Sequence, residues 1–154
     1  MKNKYQDLIE QTFEFPQSGF EVIENELHFK GIPLMDIIKQ YGTPLKLTYL
    51  PKISEQINNA TTLFNVAMAK VNYEGKYTYC YCTKSSHFSF VLEEVLENDA
   101  HLETSSAYDI DIVKAMHESG KLTKDHYIIA NGFKGEKYME GLTDLIQDGF
   151  NVVP

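Results

Sequence analysis

The chain has 154 residues, 43% of them hydrophobic and 23% charged, with a formal net charge of -8 at pH 7. That length suits a domain with a real core. The negative charge argues against nucleic acid and anionic membrane surfaces as partners, since both need clustered Lys and Arg.

In chain order, the segment 1–44 stands apart as a lead-in. It has a polar start, a strand candidate at "ELHFKG" (Glu26–Gly31) and a short helix "LMDIIKQY" (Leu34–Tyr41) closed by Gly42 and Pro44. From Leu45 a beat sets in. "LKLTYL" (Leu45–Leu50) reads as a strand and Ile53–Val71 as a helix. "YTYCYCT" (Tyr77–Thr83) is the next strand. Phe88, Val91, Leu92, Val95 and Leu96 follow at helical spacing. Ala100–Thr104 is a third strand, and a helix runs from about Ala107 to Ser119. Ser106 with Asp109 forms a capping-box start for that helix, and Gly120 is its stop. His126–Ala130 is a fourth strand. The next helix carries Tyr138, Leu142, Leu145 and Ile146 on one side and stops at Gly149, and "NVVP" begins a fifth strand.

Strands alternating with helices imply an α/β fold with parallel pairing through right-handed crossovers. The unit length matches an eight-fold TIM-type (β/α) barrel, with an open doubly wound sheet as the rival. An apolar parallel strand at the end of the chain, with no helix to cover it, is the expected signature of a barrel cut short. The expected organisation is therefore a lead-in over 1–44 and the first part of a barrel over 45–154.

Both folds place chemistry at the carboxyl ends of the strands. Three consecutive strands here end in Lys84, Glu103 and Asn131. Strand alternation puts Lys84 with Cys80 and Cys82, opposite Tyr77, Tyr79 and Tyr81. Lys84 would then point into the barrel mouth, partly desolvated, and desolvation turns an ammonium into a nucleophilic amine. A lysine, a carboxylate and an apolar mouth are the parts needed for Schiff-base chemistry. The blander readings are a solvated loop lysine, an exposed loop carboxylate and a turn-forming Asn131 before Gly132. His87 falls in the first turn of a helix, near enough to Lys84 to touch a ligand. Ser85–Ser86 and Ser105–Ser106 precede helix starts as caps or as phosphate holders.

Cys80 and Cys82, two apart on one strand, are poorly placed to bridge, and their spacing with His87 or His101 matches no structural zinc pattern. A reduced thiol pair, no secretory signal and no run of transmembrane length lead to a cytoplasmic expectation. All fourteen basic residues are lysines, so any phosphate must be gripped by backbone N–H groups, hydroxyls or lysine rather than by guanidinium.

"YGTPLKLTYL", "YEGKYTYCYCTKSSH", "HLETSSAYDIDIV" and "ANGFK", in that order, resemble the barrel of pyridoxal-phosphate-dependent basic amino-acid decarboxylases. The biosynthetic arginine decarboxylase type is the nearest match, with diaminopimelate and ornithine decarboxylases as relatives. The resemblance runs from Glu26 to the last residue. It implies that Lys84 carries pyridoxal 5'-phosphate as a Schiff base, with Glu103 beside it; His87 is read as a further cofactor contact from its nearness to Lys84 alone. It implies an alanine-racemase-like barrel, a β-domain that receives the lead-in, and a head-to-tail homo-oligomer, dimer or higher, sharing its sites. The implied reaction removes carbon dioxide from a small-molecule amino acid, arginine to agmatine in polyamine biosynthesis, and Mg2+ enters at family level only. The truncated chain alone is expected to be inactive. The other readings are a diaminopimelate or ornithine decarboxylase, a barrel that binds the cofactor without turnover, and, for this chain by itself, a structural fragment that holds no cofactor and associates through its open edge. The sequence departs from the family at Ser85-Ser86-His87, where an asparagine is usual, and at Thr48, where an arginine is common. Both departures put the substrate in doubt and leave Lys84 untouched.

Overall fold

The structure, a computed structural model, describes residues 19–154. The chain divides into two compact units, one ending at Thr48 and the other spanning Tyr49–Pro154.

In the first unit three strands, β1 (Phe20–Ile23), β2 (Glu26–Phe29) and β3 (Ile32–Pro33), form an antiparallel sheet in that order. The turn at Glu24-Asn25 has both residues at positive φ, the geometry of a two-residue hairpin whose twist matches its strands. Helix α1 (Leu34–Tyr41) follows and ends where Gly42, at φ 79°, donates its N–H to the Ile38 carbonyl at 2.7 Å. The sequence pattern marks β2 and α1. The partners β1 and β3 lie outside the strand expected there.

The second unit holds helix α2 (Pro51–Lys70), β4 (Cys80–Cys82), a one-turn 3-10 segment (Thr83–Ser85), α3 (Ser89–Leu96), β5 (His101–Thr104), α4 (Ala107–Glu118), β6 (Tyr127–Ala130), α5 (Glu136–Gln147) and β7 (Asn151–Val153). The four strands pair in parallel in the order β4-β5-β6-β7. The register sets Cys82 against Glu103, Glu103 against Ile129, and Ile129 against Val153.

Alternation within each strand separates two faces. Leu102, Thr104, Ile128 and Ala130 are buried under the helices. Leu102, Ile128 and Ala130 meet Leu92 and Val95 of α3, Ile110 and Val113 of α4, and Leu142 and Leu145 of α5 in one core cluster. Each such leucine or isoleucine removed from water contributes about 1.5–3 kcal/mol. The opposite face, with Cys80, Cys82, His101, Glu103, Tyr127, Ile129, Asn151 and Val153, is half-buried or exposed. Gly141 in α5 is required by close packing, since a Cβ there would lie 2.9 Å from Ile110 Cγ1.

Three expectations need correction. Leu45–Leu50 is not a strand. Its alternating residues Leu45, Leu47 and Tyr49 are exposed, and an alternating run becomes a strand only where a neighbour accepts its ladder bonds. The strand expected over Tyr77–Thr83 shrinks to Cys80–Cys82, because it pairs on one side only and its partner β5 begins at His101. Ile146 is 52% exposed, lying about 80° round the helix from Tyr138 at the margin of the buried stripe.

Candidate functional site at the carboxyl ends of the parallel strands

The end of β4 is fixed by a buried hydroxyl. Thr83 Oγ1 lies 3.0 Å from Asp109 Oδ1 and 3.1 Å from the Glu103 carbonyl, and Thr83 has no exposed surface. The other oxygen of Asp109 accepts the backbone N–H of Ser105 at 2.8 Å and of Ser106 at 2.9 Å, and the Ser106 hydroxyl at 3.1 Å. One carboxylate therefore ties the turn after β4 to the start of α4, completing the capping box. The box is legible in the sequence; the second use of Asp109, toward Thr83, is not.

Thr83 keeps to the buried face that Tyr79 and Tyr81 share, and the 3-10 turn that begins at it ends the strand alternation before Lys84. Lys84 sits in the 3-10 turn, is exposed, and makes no hydrogen bond or ion pair with the described residues. The desolvation expected for it is absent here, and the tight turn is the physical reason. Tyr81 packs partly against the core and donates its hydroxyl hydrogen to the Ser86 carbonyl at 3.1 Å, bracing the segment after the turn. Helix α3 starts two residues past His87 with Phe88 at its N-cap. His87 is thus an exposed connector residue rather than part of a first helical turn, and Ser85–Ser86 do not cap.

On the neighbouring strands Glu103 is half-buried, and its Oε1 accepts the side-chain N–H of Asn131 at 2.7 Å. Asn131 in turn accepts the Gly132 N–H at 2.6 Å and donates its own N–H to the Thr104 carbonyl at 2.7 Å. Gly132, at φ 82°, passes so close to Ser105 that a Cβ would lie 2.8 Å from the Ser105 carbonyl oxygen. Below this rim Thr104 Oγ1 and the Tyr138 hydroxyl are 2.7 Å apart, sealing the polar end of the core. Burial, the largest cause, pushes the Tyr138 phenol up, and the nearby Asp109 and Glu103 add to that against the Thr104 hydrogen bond.

The sheet register also fixes what lies beneath Lys84. Cys82 opposes Glu103 and Cys80 opposes His101, on the face the sequence assigns to the cysteines. Burial raises the Cys80 thiol, and the Glu103 charge raises it further. The structure thus brings Lys84, Glu103 and Asn131 to one end of three adjacent strands, and Glu103 and Asn131 into direct contact. Among the described residues no group of three or more His, Cys, Asp and Glu is placed to hold a metal ion. No described helix is long and apolar enough to cross a membrane.

No family model and no curated protein matches the chain. Among solved structures it is similar to the crystal structure of the biosynthetic arginine decarboxylase SpeA from Campylobacter jejuni, with a TM-score of 0.67 at 20% identity. The match covers 87% of this chain and 24% of that one. The likeness is one of fold: a parallel strand-helix succession shared with part of a decarboxylase.

Proposed function

We propose that this chain forms the lysine-bearing part of a pyridoxal-phosphate-dependent decarboxylase of a basic amino acid, arginine first, with agmatine as product. The observation that carries the reading is the gathering of Lys84, Glu103 and Asn131 at the carboxyl ends of three consecutive parallel strands. The fold likeness to an arginine decarboxylase supports it.

The residues present fit an aldehyde cofactor. Lys84 offers a primary amine with no ion pair to break among the described residues, and it is accessible. Glu103 offers a carboxylate whose orientation is set by Asn131, able to stabilise positive charge on a nitrogen beside it. Lys84 and Glu103 would hold the cofactor, with His87 on the connector as a further contact. Bound pyridoxal phosphate supplies an electron sink for the pair left behind when a carboxylate departs as carbon dioxide. The chain's own contribution is to anchor, through Lys84, and to keep a negative charge nearby, through Glu103. With no arginine in the sequence, a guanidinium clamp on the cofactor phosphate would be contributed from outside these 154 residues. The activity expected of the isolated chain is capture of the aldehyde rather than turnover.

Titration with pyridoxal phosphate, followed by visible absorbance, tests this. A saturable band that is lost in Lys84→Ala supports the reading. An unchanged band in that variant removes Lys84 from the role. In the full-length decarboxylase, carbon dioxide release from arginine, ornithine, diaminopimelate and lysine then separates the substrates.

A further inference from the structure

At the amino-terminal end of the same sheet, away from the rim above, lies a cleft of roughly 490 Å³ whose lining includes His101, His126, Lys76, Asp99 and Asp125. Its structural centre is a side chain acting as part of the sheet. His101 Nδ1 accepts the backbone N–H of Tyr127, the first residue of β6, at 2.9 Å. An N–H donor facing Nδ1 means that this nitrogen carries no proton, so the ring is neutral and protonated on Nε2. The bond joins the first residue of β5 to the first residue of β6. The rings of His101 and Tyr127 lie 4.8 Å apart between centroids, tilted by 60°.

Protonation of His101 would turn Nδ1 into a donor aimed at another donor, and the bond would be lost. The ionisable surroundings come from every neighbouring segment. Lys76, Tyr77 and Tyr79 precede β4, Cys80 of β4 opposes His101 in the register with Glu103 two residues on along that face, Asp99 lies in the turn after α3, and Asp125 and His126 lie in the turn before β6. The His126 ring is 5.7 Å from that of His101. The Nδ1 of His126 lies near the Thr123 N–H at 3.1 Å, the Thr123 hydroxyl at 2.9 Å and the Thr123 carbonyl at 3.2 Å, so donors and an acceptor both face it. The Nδ1 of His101 meets no acceptor of this kind among the described residues, so a proton there breaks its bond to Tyr127.

We propose that the start of β6 is held to β5 by a proton-sensitive latch: acid that protonates His101 releases the Tyr127 N–H and frees the amino-terminal ends of the two strands at the edge of this cleft. This rests on local geometry alone and is independent of the decarboxylase reading. Burial, then the charges of His126 and Lys76, disfavour the imidazolium in the closed form, with Asp99 opposing in part. A group held below its ordinary range in the closed form stabilises closure fully above that range. The stabilisation is lost as pH falls through the ordinary value toward the lowered one.

Amide hydrogen exchange on the full chain tests the latch. Between about pH 7.5 and pH 5.5, bracketing the ordinary His value, the Tyr127 protection factor should fall about tenfold. The Asn131 amide, bonded to the Thr104 carbonyl at the other end of the sheet, should stay within about twofold. His101→Gln keeps a side-chain acceptor that does not titrate, and should hold Tyr127 within about twofold as well. The latch is overturned by a flat Tyr127 profile in the wild-type chain, by the same fall in His101→Gln, or by Asn131 falling in parallel. Should His101→Gln not fold, His126→Gln decides. Removing a neighbour that disfavours the His101 imidazolium should move the midpoint of the fall to higher pH, and an unmoved midpoint overturns the proposal.

Discussion

Asn131 and Glu103, at the carboxyl ends of two neighbouring parallel strands, are joined by a 2.7 Å hydrogen bond from the Asn131 amide to Glu103 Oε1. The bond turns a half-buried carboxylate into a fixed one, directly across the register from Cys82 and one step along the same face from Cys80.

That placement gives a thiol readout of the carboxylate. Burial and the Glu103 charge both raise the Cys80 thiol. Glu103→Gln, made in a Cys82→Ser background so that a single thiol is followed, removes the charge. The midpoint of the pH profile for alkylation should then move to lower pH, because the thiolate is no longer repelled. An unmoved midpoint would show that Glu103 does not face Cys80.

Thr83 is the second test. Thr83→Val keeps the shape, removes the hydroxyl and leaves Asp109 Oδ1 without its partner in a buried site. Urea unfolding should show a loss of about 1–3 kcal/mol, with Thr83→Ser recovering most of it. Equal loss in both variants would locate the effect in packing instead.

Gly132→Ala probes the rim itself. The residue sits at φ 82°, and an added Cβ would press on the Ser105 carbonyl at 2.8 Å. The strained conformation alone costs about 1–2 kcal/mol, and the fixed backbone contact adds to it. Gly149, at φ 84° with nothing within reach of an added Cβ, is the control that carries the conformational cost only. Urea unfolding should show a smaller loss in Gly149→Ala than in Gly132→Ala.

The core predicts a contrast along α5 and β5. Leu102→Ala empties a fully buried site and should cost about 2–5 kcal/mol. Ile146→Ala, at a residue 52% exposed, should change stability far less. Comparable losses in urea titrations would mean that the helix face is misassigned.

These contrasts mark what the sequence makes legible. Period and capping are local, so α1, α4 and the Ser106–Asp109 box can be read from residue spacing. The stripe Val91, Leu92, Val95 and Leu96 is equally plain. Strand alternation, by contrast, needs a partner. Leu45–Leu50 has the pattern without a ladder, and β4 keeps only the residues that β5 can pair. At the site, the gathering of Lys84, Glu103 and Asn131 follows from topology and was legible. The buried hydroxyl bond of Thr83, at the 3-10 turn that ends the alternation before Lys84, is made to a carboxylate 26 residues away. No spacing rule carries that contact. The His101–Tyr127 bond is hidden for the same reason, because it joins a side chain to the backbone of the next strand.

The central claim is that the amine of Lys84 is the one that condenses with an aldehyde. Its most direct test is borohydride reduction after incubation with pyridoxal phosphate, followed by peptide mapping of the label. The account predicts one dominant adduct, on Lys84, among the fourteen lysines. Label spread evenly over the surface lysines, or concentrated on any other one, would contradict it.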